Sequence, residues 1–492
     1  MKRYFRIIIY IALLLEIFLF PQIENIIGAI ISIVIFELFS KYVYSKQNIK
    51  RYPLSIFAFS ALFVFCYLPI IMTLIDGHPI TFKMTKPILT FNHQLLFVII
   101  TILAFQFSKK SFIEHSLSSF FNKNIFVNPL NKVQILILSI IGIISRIYTL
   151  FFVDESGGGG LAVTFGYLIY TPLIFVFKNL SGENIHVNKK YIYIYMLFIM
   201  ALGVGTNKRS FVFMIVFFYI LLYVLNAFVM QKYIFSLKQI IIGVVLFLFV
   251  SGPITDFALS MVIVRSYKED VSATALVNKT LQVFNDKETL AYARNSFFSD
   301  RETGNVYEAW NEYYVNNLFF ERYCNYRVAD ATLCNAYKIG FCNDNMKDYF
   351  IWFLQSSFPG PLLKVLGCKV DKTKYEDFST NDILMKQSFG RIAGGHMVGG
   401  DVGLGLATMG WWFYLIHFVV FYIIFSVLNA MVTYKQNNTV VMPLIALLLI
   451  NRIFRLFVFD DGIAQDIRFI IWELPFFVIC YMIIRKLLYK FK

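Results

Sequence analysis

Residues 203–230 read GVGTNKRSFVFMIVFFYILLYVLNAFVM. From Ser210 to Met230 the run holds 21 residues without a charged side chain. A helix of about 20 apolar residues crosses the hydrocarbon core of a bilayer, so this stretch predicts a membrane span. Two basic residues, Lys208 and Arg209, stand at its start.

Working outward, similar runs recur along all 492 residues. The chain is 58% hydrophobic, 18% aromatic and only 15% charged, against about 25% charged in soluble domains. The fold class expected is an all-α polytopic membrane protein. The first residues, MKRYFR followed by IIIYIALLLEIFLF, resemble a signal peptide. They lack a small-residue cleavage site, and Glu16 interrupts the apolar run, so they read as a retained first helix. Hydropathy predicts twelve spans, at 4–20, 24–40, 53–75, 94–108, 133–153, 161–177, 191–205, 210–230, 239–255, 403–433, 439–458 and 468–485.

Charge orients them. The segments 1–6, 41–51, 109–132, 178–190, 231–238, 434–438 and 485–492 together hold 21 Lys and Arg, against Glu114 and Glu183. The positive-inside rule makes these segments, and both termini, cytoplasmic. The net charge of +15 is then mostly a topological bias and does not imply nucleic acid. The chain divides into spans 1–9 over 1–255, an exoplasmic loop over 256–402, and spans 10–12 over 403–492. Cys324, Cys334, Cys342 and Cys368 all fall in that loop. Clustered cysteines in an oxidising compartment predict disulfides, with three pairings open. A zinc site and free thiols are the alternatives.

The loop is too long for a simple connection. EAWNEYYVNNLFFERYCNYRV (308–328) reads as helical, with Trp310, Tyr314, Leu318 and Tyr326 near one face. NMKDYFIWFLQSSFPGPLLKVLG (345–367) reads as an interfacial or re-entrant helix ended by Pro359, Gly360 and Pro361. The loop is therefore expected to be a lid over the outer mouth of the bundle.

Several arginines stand where hydrocarbon should be. Arg146 lies two-thirds along the fifth span. Arg209 sits beside Lys208 at an outer turn. Arg452 and Arg455 share a face of the eleventh span, and Arg468 opens the twelfth. A charge in a spanning helix costs at least about 2.5–3.5 kcal/mol at its centre, so each needs a partner, water or a ligand. Asp460, Asp461, Asp466 and Glu473 are partners within the same hairpin, and Asp154 and Glu155 are near Arg146. A convergent cationic pocket at that depth selects lipid phosphates, because guanidinium groups match phosphate oxygens in pairs. The chain re-enters the membrane through FGRIAGGHMVGGDVGLGLATMGWWFYLIHF (389–418), where glycines allow close backbone approach. His396 and Asp401 stand there as candidate proton acceptors.

These features resemble the bacterial oligosaccharide repeat-unit polymerases (the Wzy-type O-antigen polymerases) and, more distantly, the O-antigen ligases. The resemblance covers roughly 200–460. GVGTNKRSFVFMIVFFYI looks like that family's small-residue turn between central spans. WFLQSSFPGPL looks like its membrane-surface segment, and GGHMVGGDVGLGLATMGWWF like the segment opening the span after the large loop. The resemblance implies a metal-independent membrane glycosyltransferase without a cofactor, in the bacterial cytoplasmic membrane, acting in O-antigen, capsule or exopolysaccharide assembly. It would polymerise undecaprenyl-pyrophosphate-linked oligosaccharides beside a chain-length regulator and a flippase. Arg209 would bind pyrophosphate, assisted by Arg146, Lys208, Arg452 and Arg455, with Arg301 a further substrate contact. His396, at the ligase histidine position, and Asp401 would be catalytic, with Asp300 and Glu302 as substitutes. The other readings are a ligase, a lipid-linked oligosaccharide flippase, a polyprenyl-phosphate glycosyltransferase, and an acyltransferase using His417.

Overall fold

The computed structural model describes residues 3–125, 131–151, 165–181, 187–205, 209–230, 241, 245, 248–264, 273–294, 314–317, 320–365, 367–390, 396–434, 440–457 and 462–488. The regular secondary structure of the described residues is helical apart from one two-residue strand pair, Thr433–Tyr434 with Val440–Val441. Among the described residues, seven helices are long and apolar enough to cross a membrane. The protein is a multi-pass membrane protein.

The helices used below, in chain order, are α1 (Arg3–Leu19), α2 (Ile23–Leu38, continued by a π turn to Val43), α3 (Lys46–Arg51), α4 (Pro53–Ile75), α5 (Pro87–Ser108), α6 (Phe112–Asn124) and α7 (Lys132–Phe151). They continue with α8 (Lys189–Gly205), α9 (Arg209–Val229), α10 (Thr255–Ile263) and α11 (Ala273–Asn285). Then follow α12 (Tyr326–Ile339), α13 (Asp344–Ser356), α14 (Thr380–Phe389), α15 (Asp401–Met409), α16 (Trp412–Ala430) and α17 (Ile463–Leu488). Both α4 and α5 open on proline, whose missing N–H is no loss in a first turn. Helix α4 is the centre of the bundle. Its apolar window is 78% buried, against 28% for α7 on the periphery. Lipid gives helices no hydrophobic drive to associate, so packing must hold them. Stacked rings do so here: Phe59 on Phe425 at 5.0 Å joins α4 to α16, and Phe421 on Phe457 at 4.8 Å joins α16 to the chain before α17.

Three of the expected continuous spans are broken. The stretch 161–177 is described only from Phe165, as a 3-10 turn at Tyr167–Tyr170 and one helical turn at Thr171–Ile174. The stretch 439–458 is a strand, Pro443, two five-residue helices (Leu444–Leu448 and Ile450–Phe454) and a 3-10 turn at Arg455–Phe457. The stretch 403–433 divides at Gly410, whose φ is +62°. Irregular backbone at membrane depth survives only when protein covers it. Here Leu444 to Ile450 are buried, and the Met442 N–H donates to the Leu180 carbonyl at 2.9 Å, tying this segment to the chain just after the first broken one.

The described residues between 314 and 400 form a folded cap on one face of the bundle. Its 308–328 portion is not one helix among the described residues. Residues 314–317 are extended chain, a short 3-10 turn covers Glu321–Tyr323, and the helix begins only at Tyr326. The aromatic side chains serve as plugs instead: Tyr314 donates to the Ile80 carbonyl and Tyr326 to the Cys66 carbonyl. The buried Asp330 accepts from the backbone N–H groups of Thr85 and Lys86 and from the Thr90 hydroxyl, which caps α5 from the cap domain. The glycine-rich junction is a helix crossing. A Cβ at Gly400 would lie 2.8 Å from the Ala329 Cα, and one at Gly403 would lie 2.6 Å from the Thr332 carbonyl carbon. Helix α13 buries Met346, Tyr349 and Phe353 and leaves Ile351 half exposed.

The disulfide expectation is not met. Cys324, Cys334, Cys342 and Cys368 are all free. Cys324 is buried, and burial pushes its thiol well above the ordinary range; Cys342 and Cys368 are exposed.

Candidate functional site

The broken segments bring basic residues together. Gly142 and Arg146 are four apart on α7, hence on one face. At Gly142 the chain after Gly166 comes in so close that a Cβ would lie 2.1 Å from the Ile169 nitrogen. One turn further along, the Arg146 side chain runs past Gly166, with its Cδ 3.5 Å from where a Cβ would sit. The next residue, Tyr167, packs its ring on Phe477 of α17 at 5.8 Å. Arg146, Arg452, Arg455 and Glu473 all act electrostatically on this tyrosine. Charged residues from α7, the 440–457 segment and α17 therefore lie close enough to act on one ring.

Glu473 is the internal counter-ion. It ends a π turn, Phe469–Glu473, inside α17; such bulges often occur at functional sites. One carboxylate oxygen accepts from Arg452 Nε at 3.3 Å, and the other lies 3.0 Å from Arg468 Nε. Arg452 is 7% exposed, donates also to the Gln465 carbonyl at 2.9 Å, and lies over the Phe469 ring at 4.9 Å. Arg468 therefore has the structural ion pair expected within its hairpin. Among the described residues the cluster holds four arginines against Glu473 and the buried Asp466, which leaves it cationic. Arg455 is the exposed member. The cap reaches this cluster: the Phe353 ring of α13 is 5.9 Å from the Arg468 guanidinium, and Phe358 packs on Trp472 at 5.7 Å.

The remaining expected site residues are more scattered. Lys208 and Arg301 lie outside the described residues. Arg209 opens α9, but its side chain is also outside them. His396 is exposed, in coil, with φ at +51°. Asp401 begins α15 and lines a cavity of about 70 Å³ with Thr90, His93, Gln94 and Tyr326. No arginine lines that cavity.

Three residues that matter here drew little notice in the sequence. His93 bridges elements: its Nδ1 is 2.5 Å from the Tyr414 hydroxyl and its Nε2 is 3.0 Å from that of Tyr337. Gly142 and Tyr167 have no pattern that marks them, because their importance is a contact between distant segments. His417 is sealed among Phe97, Phe413 and Phe421 and bonded to Thr101 at 2.8 Å, which leaves an acyltransferase reading without an accessible base. Comparison with protein-family models, with curated proteins and with solved structures gave no match.

Proposed function

We propose that this multi-pass membrane protein holds a lipid-linked diphosphate in the arginine cluster and uses it as a glycosyl donor. On this reading it is a polymerase of undecaprenyl-pyrophosphate-linked oligosaccharide repeat units. The cap faces outward from the bacterial cytoplasmic membrane, twelve segments enter the bilayer, and both termini are cytoplasmic. The observation that carries the reading is the convergence of Arg146, Arg452 and Arg455 on Tyr167 from separate elements. Diphosphate is a ready leaving group. The protein's task is to stabilise the charge that grows as the anomeric C–O bond breaks, and preorganised guanidinium groups do this. On this reading Asp401, which lines the separate cavity under the cap, accepts the proton of an acceptor hydroxyl. Glu473 holds Arg452 in position and limits the cost of the empty site.

Transport of the same lipid is a second reading. It is favoured by the discontinuous segments, because transporters often build substrate sites from broken helices. A deletion strain separates the two. With a polymerase lost, surface glycan collapses to single repeat units, and complementation with Arg452→Ala at normal protein level does not restore the ladder. Accumulation of repeats on the cytoplasmic leaflet would instead identify a flippase.

Orientation has its own check. With the cap outside, a membrane-impermeant maleimide added to intact cells modifies Cys342 and Cys368 and spares the buried Cys324, whose thiolate is disfavoured. Labelling only after lysis would invert the topology.

A further inference from the structure

The face opposite the cap holds a second cavity, of about 310 Å³. That is at the lower end of small-molecule sites. It lies where three bundle helices end together: α4 begins at Pro53, α5 stops at Ser108 and α16 stops at Ala430. Such a level is the boundary between hydrocarbon and water. Exposed rings mark the same level, with Phe107 64% and Phe112 83% accessible.

The lining is polar and of both signs. Arg51 comes from the end of α3. Glu114, Ser118 and Asn122 are spaced by four along α6, so they form one face. Asn429 closes the cavity from the bundle and is 4% exposed, fixed by the Ser55 hydroxyl at 2.6 Å and its own bond to Ser108 at 3.2 Å. Tyr434 also lines it, donating to the Arg51 carbonyl at 2.8 Å. Arg51 and Glu114 attract one another, yet among the described residues no direct ion pair joins them. One Glu114 oxygen accepts from the Lys110 N–H. Burial pushes the Glu114 carboxyl above its ordinary range, so a cation placed beside it would relieve an existing cost.

We propose that this cavity binds the headgroup of a zwitterionic phospholipid with a primary amine. Its phosphate lies against Arg51 and its ammonium against the Glu114–Ser118–Asn122 face. A guanidinium on one wall suits phosphate oxygens. The carboxylate, hydroxyl and amide on the other wall accept hydrogen bonds, which an ammonium can donate and a quaternary choline cannot. The position at the helix ends leaves the acyl chains in the lipid beside Phe107 and Phe112.

Delipidated full-length protein in detergent, titrated with phosphatidylethanolamine, phosphatidylcholine or phosphatidylglycerol and followed by native mass spectrometry, tests this. One retained phosphatidylethanolamine is expected at about tenfold lower concentration than either other lipid, the difference one charge-assisted contact makes. Glu114→Gln removes the preference over phosphatidylglycerol, Arg51→Ala weakens phosphatidylethanolamine, and Ser118→Leu, which puts an apolar side chain between the two charged walls, weakens the bound lipid. Thermal unfolding of each variant confirms that it is folded. Equal retention of the three lipids overturns the assignment. So does binding that survives all three substitutions. Competition by soluble phosphoethanolamine at the same concentration as the lipid would show the ligand to be a soluble zwitterion and would overturn the lipid assignment.

Discussion

Asp330→Ala is expected to lower stability by about 3–5 kcal/mol and to release the cap from the bundle. The carboxylate is 1% exposed and accepts three hydrogen bonds, from Thr85 N at 2.5 Å, Lys86 N at 2.9 Å and Thr90 Oγ1 at 2.8 Å. Lys86 immediately precedes the first residue of α5, where the helix dipole favours a negative charge. Removing the carboxylate leaves two part-buried backbone donors, on the exposed residues Thr85 and Lys86, without their acceptor, at up to about 1–3 kcal/mol each. Arg327, one turn away on α12, also loses an attractive charge. Asp330→Asn keeps one acceptor oxygen and should lose about half as much. Thermal unfolding in detergent and limited proteolysis of the cap measure both effects. An Ala variant that melts with the wild type and resists protease equally would show that Asp330 does not clamp the cap.

Arg146→Ala and Gly142→Val are expected to fail alike by different routes. The first removes a guanidinium from the proposed diphosphate site. Loss of one preorganised charge partner typically costs about 10²–10³ in rate. The second leaves the guanidinium in place but fills the space where segment 167–170 packs on α7 at Gly142. Even one methyl would lie 2.1 Å from the Ile169 nitrogen and 2.5 Å from the Leu168 carbonyl carbon. Backbone cannot rotate aside as a side chain can, so α7 and the segment must separate. Displacement of catalytic groups by about 1 Å can cost 10²-fold, and the overpacking costs about 1–3 kcal/mol of stability. Gly252→Ala is the control, since a Cβ there meets nothing within 4 Å. The readout is the glycan ladder at matched protein level. A full ladder from Gly142→Val would mean that the close packing of α7 on segment 167–170 is unimportant, and the arginine convergence would lose its functional meaning.

The sequence by itself determined the kind of molecule. Apolar runs such as 210–230 and 53–75 require a bilayer, because the cost of burying side chains is a local sum over residues. It also picked out Arg146, Arg452 and Arg455, because a charge in such a run is conspicuous against its neighbours. Tertiary structure alone decided where the runs break. The stretch 439–458 is apolar enough to be one helix, yet Pro443 opens a shorter path and Met442 bonds to Leu180 instead. It decided that the glycines after His396 serve a helix crossing, that the loop cysteines stay free, and that Asp330 caps a helix some 240 residues away. Each of these depends on a hydrogen bond or a steric contact between distant segments. Hydropathy and spacing report a residue's preference for an environment, whereas a partner's identity exists only once the chain has folded around it.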